Sequence, residues 1–339
     1  MNVINKLFDE QFVIGLFNQE IMPQYPDFES IKKINIKAHK KYVWETTYHV
    51  VLEFRTIFTT KNNKTKNLSI FCSAHSEEPR ENVYHVLKIL WDSGFAKGHL
   101  TIPHPLFYSD EFKATFYRGV EGNNLYHYIR KGDKDEIRNI IPKAAQWFSK
   151  LHKLPPKNFI NFNEDNSRIK TVIPGRDHIL YDIQRDYPEY YDFYKRAYDI
   201  FIKAEEKFFE SSNKQWVIHG DAHPENIIKM GQKKIALIDF TDVCLSDFAR
   251  DLGCFIQQVE FMSHRKIQDQ KFVDEIKDLF LENYLRSAKI KLDQSLEARI
   301  NNYYNWTAIR TATFFLIKHD SEPERAKGLI EKVKNNLGL

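Results

Sequence analysis

Three cysteines, Cys72, Cys244 and Cys254, are all that this 339-residue chain carries, and no two stand in a C-x-x-C pair. An odd number at such spacing excludes a disulfide framework and a zinc ribbon, and it predicts reduced, buried thiols. Dense basic runs are missing as well. Fifty Lys and Arg against 46 Asp and Glu leave a net charge of +4, too slight and too dispersed to argue for a nucleic-acid partner. No apolar run approaches the roughly 20 residues of a membrane span. The opening MNVINKLFDEQF has Asp9 and Glu10 in place of a basic region before an apolar core, so no signal peptide is expected. There is no internal repeat and no low-complexity segment. These absences leave a cytoplasmic protein without membrane or nucleic-acid partners, a monomer or homodimer. Its length and 42% hydrophobic content suit one large domain or two lobes.

Apolar periodicity divides the chain into three parts. Residues 1–30 form an N-terminal helical extension, because Ile4, Leu7, Phe8, Phe12, Leu16 and Phe17 recur at helical spacing; such a face serves to pack on the domain behind it. Residues 31–120 form a β-rich lobe. Segments 31–36, 47–59 and 68–75 are rich in β-branched and aromatic residues, and KNNKTKN at 61–67 reads as the hairpin turn between the last two. Pro79 opens a helix with Val83, Val86, Leu87, Leu90 and Trp91 as its stripe and Gly94 as its stop. Two more strands follow near 106–109 and 113–120. Residues 121–339 form a helical lobe, with helices expected at 134–153, about 178–210, 247–263, 268–290, 294–318 and 321–336. Pro142 predicts a kink or a fresh start inside the first of these.

One stretch inside the helical part differs. Residues 216–240 read WVIHGDAHPENIIKMGQKKIALIDF. An apolar run delivers His219-Gly220-Asp221, a loop carries Asn226, and a second run, Ile235–Ile238, ends on Asp239. Two carboxylates at strand ends, with an amide between them, suit a hard cation held against phosphate oxygens. The spacing H-x-D-x-x-x-x-N equals that of a kinase catalytic loop, in which the Asp faces the attacking hydroxyl and the Asn turns to the metal. His219, Asp221 and His223 also admit a metal-ligand reading, as in a zinc or manganese hydrolase.

HGDAHPEN followed by ALIDF resembles the H-G-D-x-H-x-x-N and I-D-F/W motifs of the aminoglycoside phosphotransferase and choline kinase-like family. FYRGVEGNNL at 116–125, AQWFSKLHKLP at 145–155 and SDFARDL at 246–252 resemble further segments of it in the same order, over about residues 40–320. The resemblance implies an α+β, bilobal protein-kinase-like fold, with a small antiparallel β-rich N-lobe containing one helix and a larger helical C-lobe, and nucleotide bound between them. It implies an ATP- or GTP-dependent phosphotransferase acting on a small-molecule hydroxyl acceptor, such as an aminoglycoside, an amino alcohol or a sugar. Asp221 would be the catalytic base or orienting group, with His219 and Asp251 supporting the loop. Asn226 and Asp239 would hold Mg²⁺, and Tyr117, Arg118, Gly119 and Val120 would meet the adenine. Acidic groups at Asp242, Asp247 and Glu260 would suit an amine-bearing acceptor.

The chain departs from this pattern on its third strand. Where the family has a phosphate-contacting lysine, LSIFCSAH offers Ser73, with His75 on the same face, and Glu81 lacks its usual mate. Arg55, Lys40 or Lys41 is expected to supply the charge. The same absence defines an alternative function, a nucleotide-binding pseudokinase.

Overall fold

A computed structural model of the chain describes residues 2–78 and 80–339. Pro79, expected to open a helix, lies outside them. Two compact units are present. One runs to Gly122 and takes back Ala236–Thr241 from later in the sequence; the other comprises Asn123–Ile235 and Asp242–Leu339.

The first unit is built on an antiparallel sheet. Its strands are β1 (Phe28–Val43), β2 (Tyr48–Thr60) and β3 (Thr65–His75), then β5 (His104–Ser109) and β6 (Ala114–Arg118), with the two-residue β4 (Leu100–Thr101) before them. The order in the five-stranded sheet is β1-β2-β3-β6-β5. Alternation along β2 sends Val50, Leu52 and Phe54 into the core and leaves Val51, Glu53 and Arg55 on the other face. The N-terminal segment closes that core. A 3₁₀ turn (Val3–Phe8) and helix α1 (Glu10–Glu20) bury Ile4, Leu7, Val13 and Phe17 in the same cluster as the strands. Asp9 divides turn from helix, its carboxylate capping the Phe12 N–H at 2.8 Å.

Strand β1 begins at Phe28, three residues before the expected Ile31, and continues through the lysine-rich KAHKKYV region to Val43. Its register with β2 supplies the backbone hydrogen bonds, and an edge strand tolerates exposed lysines. Helix α2 (Glu81–Leu90) buries Val83, Val86, Leu87 and Leu90. The chain stops turning at Gly94, which adopts φ +95°.

The second unit is mostly helical. It contains α3 (Leu125–Lys131), α4 (Lys134–His152), α5 (Arg176–Asp186), α6 (Tyr191–Ser211), α7 (Ala249–His264), α8 (Gln270–Ala288), α9 (Gln294–Ile317) and α10 (Pro323–Leu337). Helix α4 passes through Pro142 as one element, with Ile137, Ile140, Ile141, Ala144, Ala145 and Phe148 buried along it; that packing outweighs the one backbone bond proline removes. Short strands sit among the helices: β7 (Asn123–Asn124) with β9 (Ile227–Lys229), and β8 (Trp216–Ile218) with β11 (Cys244–Ser246). Strand β10 (Ile235–Leu237) leads to Asp239. Strand β11 has no sequence signature, since three residues are too few for a period to register. All three cysteines are free and buried. Among the described residues, no helix is long and apolar enough to cross a membrane.

Candidate active site

Strand β8 ends at Ile218 and releases the loop His219–Asn226. Gly220 makes the turn at φ +81°. A Cβ there would stand 2.2 Å from the Asp242 carbonyl oxygen, so conformation and space both require glycine. Two consecutive residues at the start of α7 brace the turn. Asp251, wholly buried, accepts from the backbone N–H groups of His219 at 2.7 Å and Gly220 at 3.0 Å. Its Oδ2 is also 3.0 Å from His152 Nε2, while His152 Nδ1 lies 2.8 Å from the Tyr284 hydroxyl. Burial alone would raise the Asp251 pKa, but the His152 hydrogen bond and nearby positive groups lower it below the ordinary value. Arg250, also buried, hydrogen-bonds the carbonyl and the amide oxygen (2.8 Å) of Asn166 and reaches the Gly220 carbonyl at 3.4 Å. Asn166 Nδ2 in turn donates to the Asp242 carbonyl at 2.7 Å. The His219 ring is buried edge-on against Trp147 and Phe148, with centroids 6.2 and 6.3 Å away.

Asp221 follows the turn and is partly exposed. His223 Nδ1 accepts the Glu225 N–H, so its Nε2 carries the hydrogen and donates to Asp221 Oδ2 at 3.2 Å. Asn226 Nδ2 donates to the Asp221 carbonyl at 3.0 Å and to Oδ2 at 3.1 Å. Burial would raise the Asp221 pKa; the His223 hydrogen bond, the electrostatic influence of His223 and His219, and the Asn226 hydrogen bond bring it down to about 2. Asp221 is therefore an ionised acceptor across the neutral range and an intrinsically weak base.

Asp221 borders a cavity of about 730 Å³ within this unit, walled also by α7, α9 and the start of α10. Of the acidic groups expected to greet an acceptor, Asp242 lines it. Asp247 is instead fully buried, pairing with Arg299 and accepting the Ala249 N–H at 3.0 Å. Glu260 is bound by Lys277 and Lys332.

In the first unit, Asp239 adopts φ +63° and its Oδ1 holds the Thr241 hydroxyl at 2.9 Å. Tyr117 and Arg118 lie within β6, paired to Phe71 and Ile70 of β3. The Gly119 N–H is spent on the Ser69 carbonyl at 2.9 Å. A Cβ at Gly119 would meet the Phe71 ring at 2.4 Å, so the backbone must pass close there. Strand β6 ends at Arg118, so the Gly119 carbonyl and Val120 lie beyond the strand.

Ser73 lies in register with Val51, and Val51 with Lys40. Lys40 therefore shares the Ser73 face, and its ammonium is 3.4 Å from His49 Nε2. Lys41, its neighbour, takes the opposite face and rests 4.5 Å from the Phe8 ring centroid. The expectation that Lys41 joins Ser73 is thereby corrected, for successive strand residues point oppositely. Arg55 forks onto Glu53 at 3.0 and 3.2 Å, and Glu53 also holds His39 and Ser69. Burial foremost, then Lys40 and His75, push the His49 pKa down to about 4.

The hydrolase reading fails on this geometry. The His219 ring packs against Trp147 and Phe148, and among the described residues no group of three or more His, Cys, Asp and Glu is placed to hold a metal. Sequence reasoning missed Asn166 and Arg250, and gave His152 no part in the site. None of the three belongs to the H-x-D-x-x-x-x-N spacing, and only the fold brings Asn166 beside Gly220.

Solved structures sharing this fold include a spectinomycin phosphotransferase in complex with ADP and spectinomycin (13% identity, TM-score 0.52, covering 96% of this chain and 94% of that one). Others are an ethanolamine kinase of Plasmodium vivax (12%, 0.53, 88% and 81%) and a choline/ethanolamine kinase family protein from Mesorhizobium loti (13%, 0.54, 84% and 85%). At such identities the likeness establishes the α+β, kinase-like fold. A search of curated protein sequences found no match. A profile described as the phosphotransferase enzyme family matches residues 49–290, and the chain, a small-molecule kinase, belongs to that family.

Proposed function

We propose that the protein transfers the γ-phosphoryl group of ATP or GTP to a hydroxyl of a small molecule, with Asp221 orienting that hydroxyl. The observation that carries this reading is an ionised Asp221 at the wall of a cavity, its carboxylate steadied by His223 and Asn226. A carboxylate with a pKa of about 2 withdraws little charge from the hydroxyl early in the reaction. It positions the oxygen for in-line attack and takes the proton late, as a loose phosphoryl-transfer transition state requires.

Nucleotide-binding is assigned to the β-rich unit, residues 31–120, and acceptor binding to the helical unit, residues 121–339. Val120 and the Gly119 carbonyl are the base-contacting groups. Lys40, on the Ser73 face, is the cation that stands in for the missing strand lysine; Arg55 is committed to Glu53. The donors suit Mg²⁺. Asn226 spends its amide nitrogen on Asp221, which leaves the oxygen as its free end, and Asp239 offers a carboxylate oxygen beyond the one that holds Thr241. Hard amide and carboxylate oxygens are donors of the kind Mg²⁺ takes, along with water and phosphate. When bound, the ion neutralises the triphosphate charge. His219 and Asp251 hold the loop in place.

The test is nucleotide consumption over amino-sugar, sugar, amino-alcohol and hydroxy-acid acceptors, beside Asp221→Asn and Asp239→Asn. Each variant is expected to lose about 10²–10⁴-fold in kcat. Equal rates for wild type and both variants on every acceptor would sink the assignment. Lys40→Met is expected to raise the nucleotide KM, and Lys41→Met to leave it alone.

A further inference from the structure

The cavity beside Asp221 has an uneven charge. Six cationic side chains, Arg250, Arg265, Lys266, Arg310, Lys318 and Arg325, stand against three carboxylates, Asp221, Glu225 and Asp242. The two signs also come mainly from different elements. The acids belong to the loop around Asp221 and to the return segment at Asp242, while all the cations except Arg250 lie farther along, at the C-terminal end of α7 and on or beyond the second half of α9.

Three of the six are already engaged. Arg250 is taken by Asn166, and Lys318 and Arg325 share Glu322. Arg310, Arg265 and Lys266 pair with no carboxylate among the described residues. Arg310 is the informative one. It is half-buried, with its guanidinium 5.0 Å from the Trp306 ring centroid, and among the described residues it makes neither an ion pair nor a side-chain hydrogen bond. Burial foremost lowers its pKa below the usual arginine value; Tyr198 opposes this, Arg250 adds to it, and Cys254 and Asp242 oppose it more weakly. A guanidinium kept in a desolvated wall without a partner is a place where an anion gains and a second cation loses. The same cavity is lined by the rings of Phe261, Trp306, Phe314 and Phe315, with Phe314 59% exposed.

We propose that the acceptor is a hydroxylated anion, its hydroxyl at Asp221, its carbon body against these aromatic rings, and its carboxylate or phosphate against Arg310, Arg265 and Lys266. An ammonium-bearing acceptor would meet three like charges that have no carboxylate ion-pair partner among the described residues. The inference rests on the phosphotransferase reading of Asp221. In the step itself the acceptor oxygen bonds to the γ-phosphorus as the bond from that phosphorus to the β,γ-bridging oxygen breaks. The hydroxyl proton passes to Asp221 and then to water, giving nucleoside diphosphate and a phosphorylated anion.

The experiment has two readouts on the full chain. Thermal unfolding without nucleotide is followed with gluconate, glucose 6-phosphate, glucose and glucosamine, each at 10 mM; nucleotide consumption with Mg²⁺ is then measured on the same four. At least one of the two anions is expected to raise Tm by 2 °C or more, the two separating carboxylate from phosphate recognition, with glucose and glucosamine giving less than half that shift. Arg310→Gln is expected to remove the shift and raise the acceptor KM at least tenfold with the nucleotide KM unchanged. Arg265→Gln, at an exposed position, serves if Arg310→Gln does not fold and is expected to weaken the shift by half. The proposal is overturned if glucosamine gives the larger shift or the larger kcat/KM, if the anion shift survives in both variants, or if no probe shifts Tm. An anion shift that Arg310→Gln abolishes, in a protein with no turnover on any acceptor, upholds the anion site and counts against the phosphotransferase role of Asp221. Asp221→Asn is expected to lose turnover and keep the shift.

Discussion

Single residues in the loop carry constraints that can be tested one at a time. Gly220 combines φ +81° with a carbonyl oxygen 2.2 Å from where a Cβ would be. Gly220→Ala must displace the Asp242 backbone or the turn, and it is expected to cost about 1–3 kcal/mol, read as a lower denaturation midpoint with reduced turnover. Glu205 offers a test by pH. It is buried and accepts from the Ile169 N–H at 2.9 Å and the Tyr303 hydroxyl at 2.9 Å. Burial is the largest influence and leaves its pKa at about 6, above the ordinary 4.5. The folded state therefore binds the proton more tightly than the unfolded chain. The stabilisation is complete below about pH 4.5 and is lost as pH rises through about 6. Glu205→Gln, neutral at every pH, is expected to remove that slope, so that its stability relative to wild type improves by about 2 kcal/mol between pH 4.5 and 7. Urea midpoints at the two pH values measure it; parallel wild-type and variant curves would refute it.

The element that matters most to the loop is α7. Its first turn presents Arg250 and Asp251 side by side, the first to Asn166 and Gly220, the second to the two N–H groups at the start of the loop. Asp251→Ala would leave those N–H groups and His152 without their acceptor in a dry interior. A loss of roughly 3–5 kcal/mol is expected, with kcat falling more than KM rises, because the loop and not the cavity wall is released. His152→Phe, which keeps the volume and removes one donor, is expected to lose less. Much of this was legible in the sequence: His219, Asp221, Asn226 and Asp239 stand within 21 residues on a strand-loop-strand pattern, and SDFARDL marks Asp251. Asn166 was not legible, because it sits in a polar loop with no period and acts only through Arg250, 84 positions later.

At the scale of the whole molecule, the β-rich unit and the helical unit each have their own core, and the N-terminal helix belongs to the first. Nucleotide with Mg²⁺ is expected to raise Tm, since a ligand of the folded state at about 100 times its Kd adds roughly 2.7 kcal/mol. Chelation by EDTA is expected to remove most of that increase and all turnover. An increase that EDTA leaves intact would argue against Asn226 and Asp239 as metal ligands.

The sequence by itself determined the order of the long strands and helices, the motif residues and the family, because these rest on local periodicity and on short spacings along the chain. It also exposed the missing strand lysine. Only the tertiary structure decided which of two adjacent lysines shares the Ser73 face, since a bulge between Ala38 and Lys40 shifts the register by one residue. Only the tertiary structure decided the sign of the cavity. The acids that looked available in sequence, Asp247 and Glu260, find basic partners once the helices pack, and Arg310, Arg265 and Lys266 are left without carboxylates. Charge pairing is settled between residues far apart in the chain, and composition cannot report it.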